Sequence, residues 1–122
     1  MDEHFQQSLQ LWPLLVLAAK NRQTLTYGMV EKMTNIDDHL GQAKPLGNIY
    51  LFCKYNELPC LNLLVVNQQT GKPSTREFEA LDIPNEHARI FNFDWDKWAH
   101  HHPTAQALQE AREKWEAEKA AA

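Results

Sequence analysis

The side chains of this sequence that could do covalent chemistry are its two cysteines, Cys53 and Cys60. Their spacing matches no zinc ribbon and no CxxC redox motif. Cys53 falls within a predicted helix, where a free cysteine usually acts as a small buried apolar residue. Cys60 follows Pro59 beside a predicted turn, so it is the candidate for a reactive thiol.

Histidines and carboxylates offer weaker candidate sites. Residues 100–102 are three consecutive histidines, but adjacent side chains on a strand or loop point in different directions, and no partner ligand at helical spacing is evident. Asp94 and Asp96 alternate with aromatic residues, which predicts that they lie on the exposed face of a strand, and Glu86 stands apart from them. We therefore expect no metal and no cofactor.

Composition bounds the class of protein. The chain has 122 residues, 43% of them apolar, and predicts one domain with a real core. Its net charge of −4 lies entirely in residues 76–122, because residues 1–75 hold six acids and six bases. A typical DNA-binding domain is basic, which counts against nucleic acid for the whole chain more than for residues 1–75. The acidic start and the lack of a long apolar run predict a cytoplasmic protein without a membrane span.

Helical and strand patterns predict the following order of elements. Pro13 suits the first position of a helix that ends near Asn21. Thr26 is a plausible N-cap for a helix over Tyr27–Met33. The later elements are a helix over residues 43–56, a strand over Leu61–Val66, a turn over Asn67–Gly71, a return arm over Lys72–Phe78, a strand over residues 89–95 and a helix over Ala105–Lys119.

The helix over residues 43–56 has an apolar stripe at helical spacing. We expect its buried residues to be Leu46, Ile49, Tyr50 and Cys53. Lys44, Asn48 and Lys54 are expected on the surface.

This order predicts an α+β fold: a winged helix-turn-helix body over residues 11–75, a β-arm, and an acidic, aromatic C-terminal extension over residues 76–122 that ends in a helix. The helix over residues 43–56 would be the recognition helix, and the arm near Gln68–Lys72 the wing. A small α+β domain that packs three helices on a hairpin is the alternative. The pattern alone does not separate the two.

Five short elements resemble a known family. They are Thr26-Tyr27-Gly28, Ala43-Lys44-Pro45-Leu46-Gly47, Asn56, Leu58-Pro59-Cys60 and Leu64-Val65-Val66. In order and approximate spacing this set resembles the DNA-binding domain of alkylguanine-DNA alkyltransferases and of the alkyltransferase-like proteins. The resemblance covers about half of the chain.

The resemblance implies a role for four residues. Tyr27 matches the tyrosine that helps to rotate a nucleotide out of the duplex, and Lys44 matches the arginine that fills the vacated stack. Asn56 matches the hinge before the active-site strand. Cys60 matches the cysteine that accepts the alkyl group.

The sequence departs from the family directly after Cys60. Leu61 and Asn62 stand where the family has His and Arg, so the group that would remove the thiol proton is missing. A free cysteine is mostly a thiol at neutral pH unless a cation or base lowers its pKa. We therefore expect no alkyl transfer and no enzyme. The hinge is also shorter than in the family, which argues against a pocket the size of a base.

We therefore expect a non-catalytic protein that binds duplex DNA as a regulator or as a reader of lesions or DNA shape. Lys44, Asn48 and Gln42 would face a groove, and Lys72 on the wing would contact phosphate. The alternative is a protein-interaction module, or a homodimer, that uses the acidic aromatic part over Glu77–Lys119, since tryptophan is enriched at interface anchors.

Overall fold

The computed structural model describes residues 3–38, 40–74, 78–98 and 102–121. Most of this part of the chain is helical, and it contains one two-stranded sheet, an arrangement compatible with the α+β prediction at its coarsest level. The helices are α1 (Glu3–Lys20), α2 (Tyr27–Thr34), α3 (Ala43–Tyr55), α4 (Ile83–Asn92) and α5 (Ala105–Ala121). The strands are β1 (Leu25–Thr26) and β2 (Val65–Val66), and 3₁₀ helices lie at Leu61–Leu64 and Trp95–Trp98.

Helix α1 begins ten residues earlier than predicted, and Pro13 lies inside it. Pro13 is on the exposed side, while Phe5 and Ser8 of the first turns are buried. The Ser8 hydroxyl lies 2.8 Å from the carbonyl oxygens of both His4 and Pro45, so it can hydrogen-bond to its own helix and to α3. Burial of this polar-looking segment explains why the helix tolerates a proline that removes one of its backbone hydrogen bonds.

The predicted N-cap of α2 and the predicted ends of α3 and α5 agree with the structure to within two residues. The Thr26 side chain accepts a hydrogen bond from the Met29 N–H at 3.1 Å, which makes it the N-cap of α2 as predicted. Helix α3 ends at Tyr55, within one residue of its predicted end. Helix α5 starts where predicted and continues two residues beyond its predicted end, to Ala121.

The predicted strand over Leu61–Val66 is wrong for its first four residues, which form a 3₁₀ helix. Only β2 is extended, and it pairs in parallel with β1, with Leu25 opposite Val65. The turn that follows β2 is confirmed: Gly71 has φ +70° and donates its N–H to the Asn67 carbonyl oxygen at 2.8 Å. The predicted return arm forms no strand over its described residues, because Pro73 offers no N–H to continue a ladder.

The predicted strand over residues 89–95 is also wrong, since α4 runs through Asn92. Its start follows a helix signal: the Asp82 carboxylate accepts a hydrogen bond from the Asn85 N–H at 3.3 Å, and Pro84 lies in the first turn. The aromatic alternation that predicted a strand straddles the end of this helix, where Phe93 turns to extended backbone.

Helix α3 lies at the centre of the fold, packed against α1 on one side and against α5 on another. The Trp12 and Phe52 rings meet edge to face with centroids 5.5 Å apart, and Ile49 and Cys53 are fully buried. Leu108 of α5 is fully buried as well. Seven of the thirteen residues of α3 are buried, among them the polar Asn48.

Gln42 holds the loop between α2 and α3 through hydrogen bonds, and Gly41 lets that loop pass close to Asp37. The Gln42 side-chain amide donates to the carbonyl oxygens of Tyr27 at 3.0 Å and Ile36 at 3.2 Å. A Cβ at Gly41 would lie 2.7 Å from the Asp37 carbonyl oxygen and 3.0 Å from its Cβ. Close approach of backbone to backbone therefore requires glycine at position 41.

Replacing Gly41 by Ala tests this loop, with Gly28→Ala as the matched control. We expect Gly41→Ala to lower the free energy of unfolding by about 1–3 kcal/mol, because the loop must move away from Asp37. A Cβ at Gly28 would meet nothing within 4 Å, so Gly28→Ala in α2 should stabilise by about 0.5–1 kcal/mol. Urea unfolding measures both, and equal effects of the two substitutions would contradict the loop packing.

Candidate functional site

A cleft of about 530 Å³ opens where the starts of α2 and α3 meet the segment after β2. The Ser74 backbone N–H donates to the Tyr27 hydroxyl at 3.0 Å and ties that segment to α2. The polar and aromatic residues that line it include Tyr27, Asp38, Gln42, Asn62, Ser74 and Phe78. Neither Asn56 of the hinge nor Cys60 is among the residues that line this cleft, so the prediction that the short hinge leaves no pocket the size of a base stays a prediction.

Gln42 does not face solvent as predicted; it is 1% exposed. Both hydrogen atoms of its amide nitrogen are used by backbone carbonyl oxygens, which fixes the orientation of the amide. Its Oε1 is left buried without a hydrogen-bond partner among the described residues. The sequence offered no sign of this, because glutamine at the start of a helix is ordinarily exposed.

Asn62 also lines this cleft. It lies on the 3₁₀ helix Leu61–Leu64, is 5% exposed, and its Oδ1 has no partner within the described part of the chain. Leaving a buried acceptor unpaired costs about 1–3 kcal/mol. We name this cleft, with Gln42 and Asn62 on its wall, the acceptor cleft.

Asn48 was expected on the surface of the recognition helix, and the structure contradicts this. It is fully buried, and its Oδ1 accepts hydrogen bonds from the Arg112 Nε at 3.0 Å and Nη2 at 2.7 Å. Arg112 belongs to α5, which covers this face of α3. A contact across 64 residues leaves no local trace in the sequence.

Helix α5 covers the far end of α3 too. The Tyr55 hydroxyl donates to the Glu118 carboxylate at 2.7 Å, and the Lys114 ammonium lies 4.6 Å from the centre of the Tyr55 ring. The α3 side that carries Asn48 and Tyr55 therefore meets α5, so a DNA groove could reach α3 only near its start or along the remaining side.

Two of the predicted DNA contacts are exposed beside the cleft. Lys44 is exposed and follows Ala43, which lines the acceptor cleft. Lys72 is exposed and precedes Pro73, which lines it from the other side. Tyr27 is half-buried and lines this cleft, whereas Lys44 itself lines a second, smaller cleft with Tyr50, Arg112 and Trp115.

Asn56 lies elsewhere. It is exposed and ends α3, where its side-chain amide donates to the Phe52 carbonyl oxygen at 2.8 Å. Twelve residues of helix separate it from Lys44, which is about 18 Å along the axis. The structure therefore gives Asn56 a helix-capping contact and places it at the opposite end of α3 from Lys44.

Cys60 is partly buried and its thiol holds its proton. Burial, and to a lesser extent the Glu86 carboxylate, raise the pKa of Cys60 from an ordinary 9.0 to about 11, although Arg89 and Lys54 act to lower it. Cys53 is fully buried, and burial raises the pKa of its thiol as well. Both cysteines are therefore poor nucleophiles at neutral pH.

Acidic side chains occur in two settings. Asp94 and Asp96 are exposed as predicted, and Asp96 pairs with Lys20 at 2.7 Å. Carboxylate oxygens of Glu31, Asp37 and Asp38 lie within 4.8 Å of one another, and Asp38 also lines the acceptor cleft. The second group spans a helix and a loop, so periodicity could not reveal it. Residues 100 and 101 of the predicted histidine run lie outside the described residues.

Trp95, in the acidic C-terminal part, packs in the core and is not an exposed interface anchor. Trp95 is 3% exposed, and its ring N–H donates to the Ile90 carbonyl oxygen at 2.8 Å. Of the exposed large apolar side chains among the described residues, all but Leu81 lie before residue 76. They are Leu17, Met29, Met33, Leu40 and Leu81. A protein partner for the C-terminal part stays a prediction.

No protein-family model matches the chain, and neither a curated protein nor a solved structure is significantly similar to it. None of the described helices combines the length and the apolar character that crossing a bilayer requires.

Alkylation kinetics test the state of Cys60. With its pKa at about 11 and not 9.0, the thiolate fraction at pH 8 is about 100-fold smaller than in the unfolded chain. We expect iodoacetamide to modify Cys60 correspondingly slowly in the folded protein, with a rate that rises about tenfold per pH unit until about pH 11. Peptide mass spectrometry separates Cys60 from the buried control Cys53. A rate that levels off near pH 8.5 would show an ordinary thiol.

Proposed function

We propose that this chain is a non-catalytic DNA-binding protein of the alkyltransferase-like, winged-helix type. In this proposal α2 and α3 are the helix-turn-helix pair, and the turn after β2 is the wing. The observation that carries it is the exposure of Lys44 at the start of α3 and of Lys72 on the turn after β2, each next in sequence to a residue that lines the same cleft as Tyr27.

The contact surface differs from the one that the sequence predicted. Gln42 and Asn48 are buried and take no part, and Asn56 is too far along α3. DNA would meet the molecule at the beginning of α3, because α5 lies on the side of that helix that carries Asn48. Lysine contacts to phosphate position a protein and read little sequence. The proposal is therefore for a binder of DNA shape, with weak sequence preference.

The net charge of the whole chain does not set the local charge here, where Asp38 lines the cleft whose other lining residues include sequence neighbours of Lys44 and Lys72. The net charge of −4 belongs to residues 76–122, whereas residues 1–75 are balanced. Charges farther apart than a Debye length of about 8–10 Å are largely screened at physiological salt. Two lysines nevertheless give only modest affinity, and low salt is the condition that favours it.

Titration of a labelled DNA duplex, followed by fluorescence anisotropy, tests the proposal. Two phosphate contacts give a slope of log K against log salt of about −1.8, so affinity should fall about tenfold between 50 and 200 mM salt. Lys44→Ala and Lys72→Ala should each reduce that slope by about 1.

Lys97→Ala is the matched control. Lys97 is exposed and follows Asp96, which pairs with Lys20 at the end of α1. That end lies about 18 Å along α1 from Ser8, the residue that contacts the start of α3. Its removal should leave the salt slope unchanged. Absence of binding at 50 mM salt, or equal effects of all three substitutions, would contradict the proposal and leave the protein-partner alternative.

A further inference from the structure

One side of α3 carries polar side chains of the kind that binding surfaces use. Lys44, Asn48 and Tyr55 follow one another at intervals of four and seven residues, which places them on the same side of the helix. We name these three residues the polar stripe. Lysine, asparagine and tyrosine are among the side chains that contact the phosphates and sugars of DNA. Asn48 is nevertheless fully buried and Tyr55 half-buried, so most of the stripe is covered.

Helix α5 covers the polar stripe. Arg112 donates to the Asn48 Oδ1 at 3.0 and 2.7 Å, and farther along the same helix Glu118 accepts a hydrogen bond from the Tyr55 hydroxyl at 2.7 Å. Both contacts advance towards the carboxyl ends of the two helices. Helix α5 therefore runs beside α3 in the same direction and lies over the stripe from Asn48 onwards.

The second half of α5 is held less firmly than the first. Leu108 and Ala111 are buried, whereas residues 112–121, which we name the strap, contain no buried residue. A cleft of about 330 Å³ remains between the strap and α3, with Arg112 and Trp115 on its wall. A helix end with few buried apolar contacts opens by local unfolding at a small cost in free energy.

The covered state also leaves Asn48 incompletely hydrogen-bonded. Its Oδ1 accepts both hydrogen bonds from Arg112, which assigns the oxygen of the amide. The Nδ2 is then buried without a hydrogen-bond partner among the described residues. An unpaired buried donor destabilises the state that contains it. Because opening of the strap exposes this donor to water or to a ligand, the cost falls on the covered state alone.

We propose that the strap is an autoinhibitory contact that keeps DNA from the polar stripe of α3. While α5 covers Asn48, the protein meets DNA through Lys44 and Lys72. When the strap opens, Asn48 and Tyr55 join Lys44 along the same side of the helix. DNA then favours the open state, because that state alone offers the additional contacts. This inference rests on the proposed DNA binding and adds its regulation.

Arg112→Met in the full-length protein tests the strap. The substitution nearly keeps the length of the side chain and removes the donors that hold Asn48. Loss of a positive charge by itself weakens DNA binding. We expect the opposite, a dissociation constant about fivefold lower at low salt, because the stripe is uncovered. Fluorescence anisotropy with a labelled duplex measures it.

Lys119→Met is the matched control, since it removes a positive charge from the same helix. Lys119 is exposed, and its described contact is with the Trp115 ring of α5 itself. This substitution should not tighten DNA binding. Asn48→Ala, added to Arg112→Met, should remove most of the gain, because the uncovered amide is then missing.

Tyr55→Phe loosens the strap without a change of charge. It removes the hydroxyl that donates to Glu118. We expect DNA binding to become about twofold tighter, since this hydrogen bond is exposed and its loss shifts the equilibrium only modestly.

Hydrogen exchange of backbone amides, followed by mass spectrometry, reports the opening directly. DNA should speed the exchange of residues 112–121 in the unmodified protein, whereas a purely structural helix would exchange at the same rate or more slowly in the complex. Arg112→Met should speed the exchange of the same residues without DNA. If Arg112→Met does not fold, Tyr55→Phe and the exchange of the unmodified protein decide.

The outcomes separate this inference from the proposed function. Unchanged or weaker DNA binding by Arg112→Met, or slower exchange of residues 112–121 in the complex, would overturn the strap and leave the proposed DNA binding intact. Absence of DNA binding by the unmodified protein and by every variant at low salt would overturn both.

Discussion

The enclosure of α3 by two other helices is the constraint on which the rest of this structure depends. Its start is held to α1 through the Ser8 hydroxyl, and its middle is held to α5 by the Arg112 guanidinium on Asn48. A helix buried on more than one side cannot present a continuous polar face to a partner. What remains accessible is its beginning, where the loop from α2 and the turn after β2 also arrive.

Enclosure also explains the buried polar atoms. Gln42 uses its amide nitrogen to join Tyr27 and Ile36, and this contact holds the loop between α2 and α3. The same contact leaves the Gln42 Oε1 buried without a hydrogen-bond partner among the described residues. Asn48 Nδ2 and Asn62 Oδ1 are in the same state, and each such atom costs about 1–3 kcal/mol. Departures of this kind concentrate at functional sites.

The charges are arranged in two ways at this end of the molecule. Lys44 and Lys72 are exposed at the start of α3 and on the turn after β2, while Asp38 lines the cleft. The thiol of Cys60 carries no charge at neutral pH, because burial raises its pKa.

Local signals determined the elements whose ends carry their own chemistry: the Thr26 cap, α3 with its proline in the first turn, and the turn closed by Gly71 at positive φ. Apolar runs determined burial but not conformation, so Leu61–Leu64 was predicted as a strand and is a 3₁₀ helix. Tertiary structure alone decided that Gln42 and Asn48 are buried. The physical reason is that burial of a polar side chain is set by partners distant in sequence, here an arginine 64 residues away, and such partners impose no periodicity on their neighbours.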